Sequence, residues 1–316
     1  MQPSKEDNYK ISYPLPEDKE EMTSLWQTTF QDSDEFADMF FSRVYKPENT
    51  LAIKKDYKIV SALQMIPYEI KIADNIIPAA YVCGVCTLTL ERGKGLMRIL
   101  MNEAMDEMRQ KGYGISTLIP AHPWLFDIYK KYGYIHPIDY SLERYLSKNN
   151  PNNSGISKTC NNDFSDYTFT TYIDKYFPYL DNKQRERHCA ILHNSYDTEN
   201  ILTDLTNDNG NIFVALHENN PVGIAFASPD SDKEVTIKEI LYNNTQIKEA
   251  LIYHILNIYD VEIAKVHVPK KEKRDQEINS TILSNDSKKT YPYGLACILD
   301  KKITDITSLY MTLMLD

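Results

Sequence analysis

The sequence predicts a mixed α/β protein, with α+β character in its sheet, built as two similar halves in tandem. Three observations lead there. Between Ala79 and Tyr145 strand-type and helix-type patterns alternate as strand, helix, strand, helix, strand, which is how a crossover unit in a mixed sheet reads. The stretch Asn149–Asp163 is rich in Asn and Ser and has no periodicity, as in a linker. Beyond it, hairpin, strand, helix and strand return in the order of the first half, the mark of an internal duplication. The expected units are residues 1–148 and 166–316, joined by a linker at 149–165.

Each element has its own signal. Residues 17–44 carry two helical stripes, Met22, Leu25, Trp26 and Phe30 on the first and Phe36, Met39, Phe40 and Val44 on the second. A hairpin follows: Thr50–Lys54, a turn at Asp56-Tyr57, and Ile59–Met65. Tyr68–Ala73 reads as a separate strand that turns at Asp74-Asn75 into Ala79–Leu90. From Leu96 to Gln110 apolar residues cover one broad helical face, and Gly112 ends it. Ile115–Ile119 is a short strand, Pro123 opens a helix to Tyr132, Gly133 closes it, and Tyr134–Tyr145 returns as sheet. In the second half, Ile212–Leu216 and Val222–Ala227 form a hairpin, Val235–Leu241 a strand, Thr245–Tyr259 a helix, and Ile263–Val268 a strand.

The totals exclude several classes of function. With 42% hydrophobic and 25% charged residues the chain is a globular one, and no apolar run is long enough to span a bilayer. The start MQPSKEDNYK has no apolar signal core, so a cytoplasmic location is expected. A net charge of -10 argues against nucleic acid as partner and suits a cationic small molecule. The five cysteines are odd in number and make no disulfide framework. Cys83-x-x-Cys86 lies within a strand, where residues three apart face opposite ways, so the two sulfurs should diverge. A zinc site would need two more ligands at sensible spacing, so no metal is expected.

The other motif is Arg92-Gly93-Lys94-Gly95, between a strand and a helix. A helix start offers unpaired N–H groups and partial positive charge to an anion, and glycines let a phosphate approach that backbone. Arg92 and Lys94 add positive charge. A tight turn is the competing reading. It is neither a dinucleotide fingerprint nor a P-loop. The second half has Asn243-Asn244-Thr245-Gln246 at the same place, with no glycine, so joining strand to helix does not by itself demand glycine.

Residues Tyr81 to Tyr134 resemble the acyl-CoA-binding core of GNAT N-acetyltransferases. Arg92–Gly95 matches the end of their Arg/Gln-x-x-Gly-x-Gly/Ala loop, with Leu90 departing from it at the Arg/Gln position. Ile128-Tyr129-Lys130-Lys131-Tyr132-Gly133-Tyr134 matches their late aromatic–glycine helix end. The likeness is closer to the Eis-like branch with tandem GNAT domains. Its features stand here in order: Leu25-Trp26 with Phe30 and Asp32, Tyr81-Val82-x-Gly84-Val85, the glycine loop, and Leu118-Ile119-Pro120.

That resemblance implies two tandem GNAT-like domains, the first binding acetyl-CoA and the second degenerate. Val85, Cys86 and Thr87 would offer backbone groups to the pantetheine arm, Arg92, Gly93, Lys94, Gly95 and Leu96 would hold the pyrophosphate, and Leu118 and Ile119 would line the other side of the thioester. Tyr129 would be the acid for the leaving thiolate, a role its ordinary pKa of about 10 permits. Half-buried packing is the alternative role for such a tyrosine. The base is left open between the terminal carboxylate of Asp316, a water relay and another carboxylate; the end at Asp316 suggests that the sterol-carrier-like third domain of the branch is absent or vestigial. Asp32, Glu35, Phe36 and Phe40 lie where the branch receives a cationic amine, though Phe36 and Phe40 suit a buried helix face and Asp32 an N-cap equally well.

The expected activity is therefore acetyl-CoA-dependent N-acetylation of a primary amine on a small molecule or peptide. The competing readings are a non-catalytic acyl-CoA-binding or regulatory protein and an aminoacyl-tRNA-dependent transferase. The oligomeric state is left open, a homo-oligomer included.

Overall fold

A computed structural model describes residues 8–147, 164–270 and 289–315. It divides into two compact units, the described parts of Met1–Ile138 with Tyr293–Thr307, and of Asp139–Pro292 with Ser308–Leu315.

The chain opens with β1 (Tyr9–Ser12), α1 (Lys19–Phe30) and α2 (Asp34–Met39), which runs on into a π-helical turn at Phe40–Val44. Then come β2 (Thr50–Lys55), β3 (Lys58–Ile72) and β4 (Asn75–Thr87), a meander of antiparallel pairs. The expected break near Pro67 does not occur: β3 is one strand. Its last pair with β2 is Thr50 with Gln64, so Pro67 removes no hydrogen bond from that ladder. A crossover through α3 (Leu96–Gln110) leads to β5 (Ile115–Leu118), parallel to β4, and then to the short α4 (Leu125–Lys130). The sequence pattern over-extends α4 at both ends because hydrogen-bonded turns flank it on each side. Next, β6 (His136–Leu146) carries the chain out of the first unit at Ile138.

The second unit holds β7 (Tyr167–Thr170), α5 (Phe177–Arg185), β8 (Cys189–Leu192), α6 (Ser195–Asn207), β9 (Asn211–His217), β10 (Asn220–Ser231), β11 (Glu234–Tyr242), α7 (Thr245–Tyr259) and β12 (Ile263–Pro269). Here β11 and β12 are the parallel pair, α7 is their crossover, and the outgoing β6 pairs with β12 from Tyr140 to Leu146. The last strand, β13 (Thr290–Ile298), returns to the first unit, where Leu295–Ile298 pairs antiparallel with β5. Each unit thus has a mixed six-stranded order, β1-β2-β3-β4-β5-β13 in the first and β6-β12-β11-β10-β9-β7 in the second. The units interleave along the chain at β6 and β13 instead of meeting once near residue 148. Most of the expected linker lies outside the described residues.

The first core forms where α3 lies on the sheet. Leu96, Leu100, Met101, Ala104, Met105 and Met108 follow one another at spacings of one, three or four residues, hence on one broad helix face, and pack on Leu63, Met65, Ala80, Val82 and Leu118. At roughly 1.5–3 kcal/mol for each fully buried large side chain, this face is a main source of the unit's stability. In the second unit α7 buries Ile247, Leu251, Ile252, Ile255 and Leu256 against Val235, Ile237, Ala264 and Val266. Within the first of these cores the end of one strand pair sets up a site.

Candidate functional site

The parallel pairing of β4 with β5 ends at Val82 and Leu118, while β4 continues for five residues to Thr87. The two strands therefore part there, exposing backbone groups of Cys83 to Thr87 on the side that β5 no longer covers. A bulge lies within this stretch. On β3, Ala62 and Gln64 stand two residues apart, yet their partners Cys86 and Cys83 stand three apart. Gly84 takes up the extra residue with φ +60°, and a Cβ there would lie 2.3 Å from the ring of Trp26. The bulge also restores Cys83 and Cys86 to one face of the sheet, against the divergence that simple alternation predicts. Redox chemistry still does not follow, because burial pushes the Cys86 thiol up to about 12. The Cys86 carbonyl accepts from Ser61 Oγ at 2.7 Å, and the Ser61 and Thr87 hydroxyls are 2.7 Å apart, so the β3 side of this stretch is fixed by side chains as well as ladder bonds.

After Thr87 the chain makes a 3₁₀ turn at Thr89–Glu91 and reaches the glycines, Gly93 at φ +79° and Gly95 at φ +82°. Gly95 is the N-cap of α3, and no side chain caps it. The first amides of the helix have no acceptor within the helix, and a Cβ on Gly93 would meet nothing within 4 Å. The second unit behaves differently: the N-cap of α7 is Asn244, whose side chain accepts from Ile247 N at 3.1 Å. One helix start has a side-chain cap from its own chain, and the other has none. Of the loop cations, Arg92 Nε donates to Thr87 O at 3.1 Å, and Lys94 Nζ lies 2.8 Å from Glu91 Oε2. The Lys94 bond and then the Tyr9 hydroxyl hold the Glu91 carboxyl below the usual range.

Tyr129, on α4, is buried in the same cluster as Val82 and Leu118, the last paired residues before the strands part. Its ring meets that of Tyr134 edge-on at 6.2 Å, and Tyr134 is anchored by a 2.7 Å hydrogen bond between its hydroxyl and Ser116 Oγ. Burial raises the Tyr129 pKa well above the ordinary tyrosine value, so its hydroxyl is a standing proton donor at neutral pH. The strand end, the glycine loop and Tyr129 thus share one region of the first unit. Leu118 is buried there, and Val85, Thr87 and Ile119 are half-buried.

The expected acceptor residues are not gathered in the same way. Phe40 is fully buried and stacks on Trp26 at 4.6 Å and on Phe36 at 6.0 Å, so it is core. Asp32 accepts from Trp26 Nε1 at 2.7 Å, and the N-cap of α2 is Ser33, which accepts from Phe36 N. Glu35 is exposed in the first turn of α2, and Phe36 is half-buried. Asp316 lies outside the described residues. Among the described residues no three His, Cys, Asp or Glu gather as metal ligands, and no helix is long and apolar enough to cross a membrane.

Sequence reasoning missed Glu91, Tyr9 and Lys55 around the loop, although the Glu91–Lys94 spacing was visible. It also missed two buried polar atoms, Gln64 Nε2 and Thr117 Oγ1, that have no hydrogen-bond partner among the described residues. They stand opposite Cys83 and Tyr81 on the two sides of β4.

Comparison with known proteins bears on this region directly. Residues 10–136 match the family described as an acetyltransferase (GNAT) domain, a span that ends two residues before the first stretch of the first unit does. A comparison with curated proteins finds no match. Among solved structures, a "probable N-acyltransferase" from Enterococcus faecalis V583 is similar with a TM-score of 0.72 at 15% identity, over 93% of this chain and 73% of that one. A GCN5-related N-acetyltransferase from Anabaena variabilis gives 0.70 at 15%, over 93% and 73%, and Eis1 from Mycobacterium abscessus 0.65 at 11%, over 92% and 74%. At these identities the likeness is one of fold.

Proposed function

We propose that this chain, whose residues 10–136 match a GNAT acetyltransferase domain, moves an acetyl group from acetyl-CoA to a primary amine of a small molecule or peptide. The observation that carries the reading is the uncapped start of α3, placed beside the parting of β4 and β5 and beside a buried, protonated Tyr129. In this reading the second unit is a degenerate copy that binds no cofactor, since Asn244 caps the equivalent helix.

In the reaction an amine nitrogen displaces the CoA thiolate from the acetyl carbonyl. Backbone groups of Val85 to Thr87 align the pantetheine arm as an added strand edge, opposite Leu118 and Ile119. The amides from Arg92 to Leu96 take the pyrophosphate, with Gly93 and Gly95 leaving room for it. Tyr129 donates its proton to the departing sulfur, and the proton that the attacking nitrogen gives up passes to solvent, from which the tyrosine is reprotonated. Burial keeps this hydroxyl protonated and makes it a weaker acid, but it also disfavours a bare thiolate beside it, and this second effect favours proton delivery.

Acetyl-CoA-dependent thiol release, measured against a panel of amines, tests the proposal. Release that needs an amine, disappears with Gly95→Glu and falls sharply with Tyr129→Phe is expected. The second reading, a non-catalytic acyl-CoA-binding protein, draws on the commitment of Phe40 and Asp32 to packing around Trp26. Tight acetyl-CoA binding without release for any amine would favour it.

A further inference from the structure

Two buried polar atoms of the first unit have no hydrogen-bond partner among the described residues, and no step of the proposed reaction uses them. They are Nε2 of Gln64 on β3 and Oγ1 of Thr117 on β5, in residues that are 2% and 1% exposed. Bulk water therefore does not satisfy them, and burying a polar atom without a partner costs stability. Both flank β4 where its pairing with β5 ends. Gln64 is opposite Cys83, Thr117 is opposite Tyr81, and the last parallel pair is Val82 with Leu118.

Alternation along the strands fixes the face they occupy. Leu63, Met65, Val82 and Leu118 share the cluster of α3, which also holds Tyr129. Gln64 lies between Leu63 and Met65, and Thr117 precedes Leu118, so both point to the opposite face of the sheet. Two strand spacings, with a shift of two residues along the strands, separate their Cα atoms by about 12 Å. A small ligand lying between the two side chains can touch both.

The α3 face of this strand end is packed and carries Tyr129, so an attacking amine approaches from the other face, the one that Gln64 and Thr117 share. The hydrogen-bonding capacity of the two atoms then says what the amine looks like. A carboxamide NH₂ only donates. The attacking nitrogen offers it nothing, because the one lone pair of that nitrogen forms the new C–N bond. Gln64 Nε2 therefore needs an oxygen elsewhere on the acceptor molecule. A hydroxyl also accepts, so Thr117 Oγ1 can take an N–H of the amine itself as it attacks.

We propose that Gln64 and Thr117 bind the acceptor, Thr117 at its nitrogen and Gln64 at a neighbouring oxygen, and so select its class. The substrates are primary amines with a carbonyl or hydroxyl oxygen close to the nitrogen, as in amino-acid amides, peptide N-termini and amino alcohols, and not plain alkylamines or polyamines. This rests on the acetyl-transfer reading above and names the substrate class of that same site. In the ligand-free protein the two atoms weaken the fold, and they gain their partners when the acceptor is in place.

Acetyl-CoA-dependent thiol release by the full chain tests this with two amines of similar shape, glycinamide and isobutylamine, in wild type, Gln64→Met, Thr117→Val and Thr117→Ser. Wild type is expected to use glycinamide. Gln64→Met should lower the ratio of kcat/KM for glycinamide to that for isobutylamine about tenfold, as the loss of one hydrogen bond would. Comparing this ratio between variants cancels the different basicity of the two amines. Thr117→Val should lower kcat/KM for glycinamide and for any use of isobutylamine, and Thr117→Ser should restore it. Thermal unfolding should show no loss of Tm in Gln64→Met or Thr117→Val, because each deletes an unpartnered polar atom. An unchanged ratio in Gln64→Met, unchanged kinetics in Thr117→Val or a clear loss of Tm in either overturns the proposal. A wild type that uses other amines but not glycinamide overturns it too. A wild type that releases no thiol with any amine overturns the acetyl-transfer reading itself, and this proposal with it.

Discussion

Replacing Gly84 by alanine probes the bulge that gives the site its shape. The new Cβ would sit 2.3 Å from Trp26 Cζ3 and 2.9 Å from Cε3, closer than any real contact, so one side must move. Trp26 cannot easily withdraw, because its ring stacks on Phe40 at 4.6 Å and its Nε1 is bonded to Asp32 at 2.7 Å. The backbone resists as well: φ +60° costs a non-glycine residue about 1 kcal/mol. Overpacking in a core costs roughly 1–3 kcal/mol more, so a total near 3 kcal/mol is expected. For a unit of this size that lowers Tm by roughly 6–12 °C. Thermal unfolding followed by tryptophan fluorescence in a Trp124→Phe background reads Trp26 alone, since the chain has two tryptophans and Trp124 is exposed. Gly93→Ala is the internal control. Its φ is +79°, but its Cβ meets nothing within 4 Å, so it should lose only the backbone part, about 1 kcal/mol. If Gly84→Ala loses no more than Gly93→Ala, the bulge does not depend on the Trp26 contact and the reasoning fails.

Other expectations are independent of it. Lys248→Met removes the buried ion-pair partner of Glu143 and should cost roughly 3 kcal/mol in urea unfolding, with recovery in Lys248→Met/Glu143→Leu. Asn244→Ala removes the α7 cap and should cost about 1 kcal/mol by the same assay. Thr117→Val should leave stability unchanged or raise it by up to about 1 kcal/mol, because the buried hydroxyl has no partner among the described residues; a clear loss would show that it has one. His193 is held down to about 4, first by burial and then by the Arg187 charge. Its folded pKa lies below the unfolded value near 6.5, so its contribution is complete above pH 6.5 and is lost as pH falls toward 4, by about 3 kcal/mol. In His193→Leu, ΔG against pH should flatten over that window; an unchanged slope would refute the assignment.

What the sequence made legible was local. The helices α3 and α7 could be read nearly to the residue because their apolar stripes and their caps, Gly112 and Asn244, lie within a few positions of one another. The likeness of residues 10–136 to an acetyltransferase domain was legible because family likeness is carried by short motifs. The bulge was not, since an extra residue in β4 is defined only by its register against β3, some twenty residues away in the chain. The same non-locality hid the convergence of Lys55 on Glu91 and the continuity of β3 through Pro67. The acceptor residues were ambiguous for a different reason: Phe40 and Asp32 fit a cation site and an aromatic core equally well by type, and their contacts with Trp26 are long-range packing that composition does not show. From α5 to α6 no periodicity was strong enough to read.

The two units provide a comparison that sharpens the functional argument. Both lay a helix of 15 residues across a parallel strand pair, and in both the inner strand runs on past its last parallel partner. Fold alone therefore gives each unit the same parting of strands and the same helix start. Chemistry separates them. In the second, Asn244 takes an amide of the helix start, and Lys248, in the first turn, is committed to buried Glu143. Filling that helix start with an anion would mean breaking a cap and competing with an ion pair. In the first unit the N-cap is a glycine with no side chain to offer, and the nearby cations are on the surface or shared through Glu91. A ligand reaching the amides of α3 therefore has no side-chain cap to displace. For this reason the proposal that the first unit binds an acyl carrier rests on the glycine loop and not on the fold around it.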